Sequence, residues 1–264
     1  MGEIVFIGLG LYDEKDISLK GLEVVKSCNV LFAEFYTANL TGTTKVKIEE
    51  FMGKSIEILN REEMEKGDKV IEAAKENKVG VLVSGDPMTA TTHLSLRLRA
   101  KQEGIKTSII PGASIITSAP ALSGLHIYKF GKTTSLPFPK EGYFPTSPYD
   151  VVKKNLENDL HTLILLDIDE HAQKQMRANE GLRLLLEMEK ERKEGVISAD
   201  IFVCVLGSIG SEEPVVKAGY LKDLLDKDFG EGLHCLIIPA KLHFMEAEAL
   251  VEFGGAPKEI LGKE

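Results

Sequence analysis

Short apolar runs that stop at glycines constrain the fold of this chain more than any other feature. Ile4 to Ile7 gives way to Gly8 and Gly10, Val79 to Val83 gives way to Gly85, and Thr107 to Ile110 ends at Pro111-Gly112. Runs this short and this rich in β-branched residues read as strands buried on both faces. Val30 to Phe35 and Ser55 to Leu59 read the same way. Between the runs the apolar period changes to that of a helix. Leu19, Leu22 and Val25 share one face behind a Ser18 cap, and Thr44 to Met52 reads as a second helix. Glu62 to Asn77 turns Val70, Ile71 and Ala74 inward, and Thr89 to Glu103 is stopped by Gly104. Strands alternating with helices predict βαβ units and a mainly parallel sheet with helices on both faces. Such sheets bind ligands at the carboxyl ends of their strands, the edge where Gly8, Gly10, Gly85 and Gly112 would gather.

Beyond Gly112 the pattern changes. Residues 133–149 hold Pro137, Pro139, Pro145 and Pro148 with Phe138, Tyr143 and Phe144, a composition that predicts a long ordered loop or hairpin facing a substrate. Thr162 to Ile168, Ile201 to Leu206 and Cys235 to Ile238 read as strands, and Asn179 to Lys193 and Lys241 to Phe253 as helices. The expected architecture is α/β in two domains. Residues 1–112 form a mainly parallel sheet domain with glycine-rich loops, and residues 113–264 form a mixed α+β sheet domain.

The 264 residues carry a formal net charge of −9, which repels phosphate backbones and argues against nucleic acid as a partner. Cys28, Cys204 and Cys235 form no C-x-x-C pair and sit among apolar residues, so no zinc knuckle, redox dithiol or other metal site is expected. The start of the chain has neither a basic nor an apolar leader region, and no apolar run nears the ~18 residues that span a bilayer. A cytoplasmic protein without membrane association is the expectation.

The glycine segments carry the candidate chemistry. Gly8-Leu9-Gly10-Leu11-Tyr12-Asp13 follows a strand, where glycines permit a tight turn or close approach to a ligand. A dinucleotide fingerprint would need a glycine where Asp13 stands, and Glu34 only approximates the acidic residue expected at the end of the second strand. In Ser84-Gly85-Asp86-Pro87-Met88-Thr89, Asp86 fits a helix N-cap and Pro87 a first helical turn, which alone would explain the pair. The alternative is a ligand loop with Gly85 and exposed amides at a strand end, and the residues leave both open. Ser114, in Pro111-Gly112-Ala113-Ser114-Ile115, caps the next helix or lines a ligand. His126, in Leu125-His126-Ile127-Tyr128, reads as a satisfied core or interface residue on an alternating strand. No metal-ligand spacing surrounds His93, and no hydrolase or P-loop signature occurs.

Taken in order along the chain, these segments resemble the tetrapyrrole methylase superfamily. The usual G-x-G-x-G-D appears here with Tyr12 for the third glycine and Asp13 retained, as in its diphthine synthase branch. Ala33-Glu34-Phe35-Tyr36-Thr37, Ala90-Thr91-Thr92-His93, Gly124 to Lys132, Phe144-Pro145-Thr146-Ser147, Gly219-Tyr220 and Gly255-Ala256-Pro257 look like the same branch. The resemblance implies a homodimeric N-methyltransferase with S-adenosyl-L-methionine folded in a cleft between the two domains. It places donor contacts at Leu11, Asp86, Thr89, Ser114, Ile115, Leu166, Ile209 and His234. The implied acceptor is the amino group of a 3-amino-3-carboxypropyl histidine on translation elongation factor 2, a step of diphthamide biosynthesis. No catalytic base is assigned. The competing expectations are a tetrapyrrole methylase acting on a precorrin or uroporphyrinogen, a nicotinamide-dependent oxidoreductase, and a non-catalytic module that binds a translation factor.

Overall fold

Successive side chains of a strand point to opposite faces, and in the first sheet both faces are covered. The computed structural model describes residues 2–36, 38–169, 172 and 174–262. The chain divides into two compact units, Met1–Ile115 and Ile116–Glu264. In the first, β1 (Glu3–Gly8), β2 (Val30–Glu34), β3 (Glu57–Ile58), β4 (Lys78–Val83) and β5 (Lys106–Ile110) form a sheet ordered β3-β2-β4-β1-β5. Every pairing is parallel. On one face Ile4, Phe6, Val79 and Val81 pack with Val70, Ile71, Leu96 and Ala100. On the other, Val5, Ile7, Leu31 and Leu82 pack with Val25, Ile48 and Met52. The first group of helical residues belongs to α4 (Asp68–Ala74) and α5 (His93–Gln102), and the second to α1 (Leu19–Ser27) and α2 (Lys45–Met52). The expected parallel sheet with helices on both faces is what the chain forms.

Two expected helices differ. The continuous helix over 62–77 is two, α3 (Arg61–Lys66) and α4, because Gly67 turns to φ +69° and ends the first. Asn60 and Glu63 form a reciprocal cap at the start of α3. The helix expected from Thr89 begins only at His93, since residues 86–92 turn back on themselves and Ala90 sits at φ +54°.

The second unit contains α6 (Ile115–Ser123), all but its first residue, and a mixed sheet ordered β11-β10-β12-β7-β6. Its strands are β6 (Thr134–Leu136), β7 (Thr162–Leu166), β10 (Phe202–Gly207), β11 (Val215–Tyr220) and β12 (His234–Ile238). Only β6 and β7 pair in parallel. β8 (Ile168–Asp169) and β9 (Lys174–Gln175) pair antiparallel as a separate two-stranded sheet. The helices are α7 (Ser147–Glu157), α8 (Ala178–Arg192), the single turn α9 (Leu221–Leu224) and α10 (Phe244–Gly254). Tyr149, Val152, Leu182, Leu185, Val203, Val205 and Leu236 share one core. Residues 133–149 are not loop throughout: they supply β6, and α7 starts at Ser147 with Pro148 in its first turn, where its missing N–H costs nothing. His126 is not on a strand but precedes the 3-10 turn Ile127–Lys129.

Carboxylates fasten the loops of this unit. Glu246 of α10 is fully buried. It accepts the backbone N–H groups of His126 and His243, each at 2.8 Å, and the Lys129 ammonium at 3.2 Å. His161 Nδ1 accepts the N–H of Ala240 at 2.9 Å, so Nε2 carries the proton that it donates to Glu246 at 3.0 Å. Burial alone would raise the Glu246 pKa, but these donors outweigh it and hold it at about 2. Burial lowers the His161 pKa despite the neighbouring carboxylate. Glu189 does similar work, accepting the N–H groups of Gly195 and Ile197 at 2.7 and 2.8 Å and the Tyr149 hydroxyl at 2.8 Å. All three cysteines are buried free thiols. Burial raises the pKa of each, that of Cys235 to about 12.

Candidate functional site

Because β4, β1 and β5 are neighbours, the loops that leave their carboxyl ends adjoin. Their glycines meet backbone to backbone. A Cβ on Gly8 would stand 2.5 Å from the nitrogen of Gly112 and 2.6 Å from the carbonyl oxygen of Gly85, distances no side chain tolerates. Gly85 donates to the carbonyl of Gly10 at 2.6 Å and accepts from its N–H at 3.4 Å. At φ +75° Gly85 holds a conformation unfavourable to other residues, and where its Cβ would lie the nearest atom is the oxygen of Ala113 at 3.9 Å. Beyond that one ordinary contact, no atom outside its chain neighbours comes within 4 Å, so that face of the peptide is only lightly covered.

The loops after β1 and β4 are each fixed by a carboxylate. After β1, Asp16 accepts the N–H groups of Leu11 at 3.0 Å and Tyr12 at 2.7 Å, holding Leu11 half-exposed at the edge. Asp13 accepts from Lys15 N–H at 2.8 Å and caps a short turn, Glu14–Asp16. Tyr12 lies against Gly42, whose Cβ would strike the ring, and Gly42 N–H donates to the Tyr12 carbonyl at 2.9 Å. After β4, Asp86 Oδ1 accepts both the Met88 N–H and the Thr89 hydroxyl at 3.0 Å. The expected helix cap is instead an Asx turn, with Thr89 part of its closure. After β5, Ser114 is buried and Ile115 opens α6. The first unit therefore brings Leu11, Asp86, Thr89, Ser114 and Ile115 to one sheet edge. Nothing in the sequence singles out Asp16, since Asp13 and Glu14 stand between it and the glycine pair.

The three positions expected from the second unit share one end of its own sheet. Gly207 pairs with His234 across β10 and β12, and Cys235 pairs with Leu165. His234 and Leu166 thus end adjacent strands, and Ile209 lies two residues past Gly207. The backbone there is bent, with Ser208 at φ +47° and Gly210 at φ +99°. His234 Nδ1 accepts the N–H of Ala178 at 3.1 Å, which anchors the start of α8 and leaves the proton on Nε2. Burial first, and Arg177 second, lower its pKa, so the ring is neutral. The carbonyls of Phe229 and Gly230 oppose that shift, but none makes a bond of good geometry with the buried Nε2.

Other chemistries find less support. Glu34, the acidic residue nearest a nucleotide-ribose position, is fully buried, with one oxygen 3.2 Å from the Tyr36 N–H and the other 3.7 Å from His93. A carboxylate so enclosed is not offered to a ribose. Among the described residues, no three of His, Cys, Asp or Glu are grouped to hold a metal ion, and no helix is long and apolar enough to cross a membrane.

The family of tetrapyrrole (corrin/porphyrin) methylases matches residues 3–200 of this chain. The class defined by the parallel sheet and its glycine edge is therefore a methyltransferase. Within it, the diphthine synthase of Methanocaldococcus jannaschii is 53% identical over 250 residues, covering 94% of this chain and 97% of that one. The diphthine synthase of Methanothermobacter thermautotrophicus is 46% identical over 258 residues, covering 98% of each. A crystal structure of diphthine synthase matches with a TM-score of 0.89 and 40% identity, again covering 98% of both chains. The chain belongs to the diphthine synthase family, the methyltransferases of diphthamide biosynthesis.

Proposed function

We propose that the chain transfers methyl groups from S-adenosyl-L-methionine to the amino group of the 3-amino-3-carboxypropyl histidine on translation elongation factor 2, in successive rounds that yield diphthine. The observation that carries this reading is the lightly covered face of Gly85 beside the loop that Asp86 ties down. Close backbone approach to a nucleoside needs that arrangement. Leu11, Asp86, Thr89, Ser114 and Ile115 are the proposed donor contacts of the first unit, and Leu166, Ile209 and His234 those of the second. Family membership supports a homodimer working in the cytoplasm, where its protein partner is found.

The donor supplies the electrophile, a methyl group on a sulfonium, so the protein needs no covalent nucleophile. What remains for the chain is to hold, orient and exclude water. Ordered loops that fix an amine in line with the methyl contribute through lost translational freedom, about 7–11 kcal/mol in favourable cases. Neutral His234, fixed in one tautomer by Ala178, adds no positive charge where a sulfonium would have to bind. The amine must be unprotonated before each attack, and water can take that proton. The test is mass spectrometry of elongation factor 2 bearing the unmethylated precursor after incubation with enzyme and donor. Added mass of one, two or three methyl groups is expected. An unchanged mass, alongside methylation of uroporphyrinogen, would transfer the assignment to a tetrapyrrole substrate.

A further inference from the structure

The donor loop is not closed by Asp86 alone. Met88 N–H, which bonds to Asp86 Oδ1, belongs to the same peptide group as the Pro87 carbonyl. That carbonyl lies 3.0 Å from Nδ1 of His93. A carbonyl only accepts, so Nδ1 is the protonated nitrogen and donates. The Thr91 hydroxyl lies 3.1 Å from the same nitrogen. One peptide plane is thus pinned at both ends, its N–H by Asp86 and its C=O by His93, and a rotation that freed either group would break the other bond. The ring also bridges residue 87 to residue 91, spanning the reversal at Ala90.

His93 is well placed to transmit rigidity from the sheet. It is only 2% exposed, stacks on Phe6 of β1 with ring centroids 6.2 Å apart, and directs Nε2 at Glu34 of β2. Glu34 Oε1 lies 3.7 Å from Nε2, too far for a hydrogen bond, and Nε2 makes none. Glu34 is in turn held by the N–H of Tyr36 at 3.2 Å. A histidine that served only to fill the core would not need to meet a loop carbonyl on one side and a buried carboxylate on the other.

We propose that His93 is a positioning residue that sets the orientation of the Asp86 turn and thereby the affinity for the methyl donor. The proposal rests on the donor reading given above. Two polar substitutions separate the roles of the two ring nitrogens. In His93→Asn the amide nitrogen stands near the place of Nδ1 and can still donate to Pro87. In His93→Gln the polar group moves toward the place of Nε2 and abandons Pro87.

The experiment compares wild type and both variants by calorimetry with S-adenosylhomocysteine, by donor KM and kcat, and by melting temperature. His93→Gln is expected to raise donor Kd and KM about tenfold, the effect of losing one buried hydrogen bond. His93→Asn is expected to stay within about threefold of wild type, and kcat at saturating donor to change less than about threefold in both. Equal donor affinity in wild type and both variants, whatever their melting temperatures, would overturn the positioning role. A wild type that binds no S-adenosylhomocysteine would bring down the donor reading, and this inference with it.

Discussion

The two sheets end in different ways, and the contrast shows two routes to a precise edge. In the first unit the strand ends are shaped by what is missing. Gly8, Gly85 and Gly112 touch backbone to backbone, and a single added carbon on Gly8 would collide with main-chain atoms that cannot move aside. Carboxylates hold loops in both units, but in the second Glu246 and Glu189 each gather several donors, more than the two that Asp16 or Asp86 accepts beside the glycines. A backbone edge can lie flat against a ligand, whereas a carboxylate hub can tolerate varied loops as long as the hub itself persists.

The largest expected effect is at such a hub. Glu246→Ala leaves the His126 and His243 amides and the His161 ring without their acceptor, and should cost about 3–5 kcal/mol in urea unfolding. Wild-type stability should also fall in acid. The Glu246 pKa is depressed in the folded state, so its contribution is complete above the unfolded value of about 4.3 and is lost as pH falls toward about 2. His161, also depressed, adds a loss that starts as pH drops below about 6.5. Melting curves from pH 7 to pH 2.5 should show this decline, with a flatter acid limb for Glu246→Gln. An acid limb equally steep in that variant would remove Glu246 from the account.

Gly8→Ala comes next, with an expected loss of about 3 kcal/mol from overpacking against fixed backbone, read by thermal denaturation. A variant as stable as wild type would show that the glycine edge can yield, and the contrast with the second unit would fail. Asp86→Ala should have the smallest effect on stability, about 1 kcal/mol for a lost turn bond. Its affinity for S-adenosylhomocysteine, measured by calorimetry, should nevertheless fall by more than that bond accounts for. An unchanged affinity would leave Asp86 with its turn alone.

The same contrast explains what could be read before the structure was known. Apolar runs and glycines are local signals, so β1, β2, β4, β5 and the glycines at their carboxyl ends were visible in the sequence. The break between α3 and α4 was missed although Gly67 marks it, because the apolar spacing of Met64, Val70 and Ile71 continues across the break. The start of α7 was hidden by the prolines around it, even though Pro148 in a first turn is itself a helix signal. Strand β11 alternates weakly and lies at a sheet edge, so its core pattern is diluted. Asp16, Glu34, Glu189 and Glu246 were illegible for another reason. Some of their partners, such as His161 for Glu246, are brought near by tertiary folding, others depend on the local turn, as the amides of Leu11 and Tyr12 do for Asp16, and an acidic residue that gathers donors looks in sequence like one destined for solvent. Asp86 and Thr89 were expected at the edge, but the bond between them and the pin from His93 depend on a reversal that no local rule specifies.

The three enclosed thiols have a practical consequence. Cys204 and Cys235 lie on neighbouring strands with their ionisation strongly suppressed, and Cys28 is sealed against α1, where its thiol donates to the Val24 carbonyl at 3.2 Å. Since only the thiolate reacts readily with alkylating reagents, the folded chain should be nearly silent toward maleimides. A fluorophore or spin label attached to one engineered surface cysteine, beside Asp86 for example, would then report on that position alone, with the native sequence left otherwise intact.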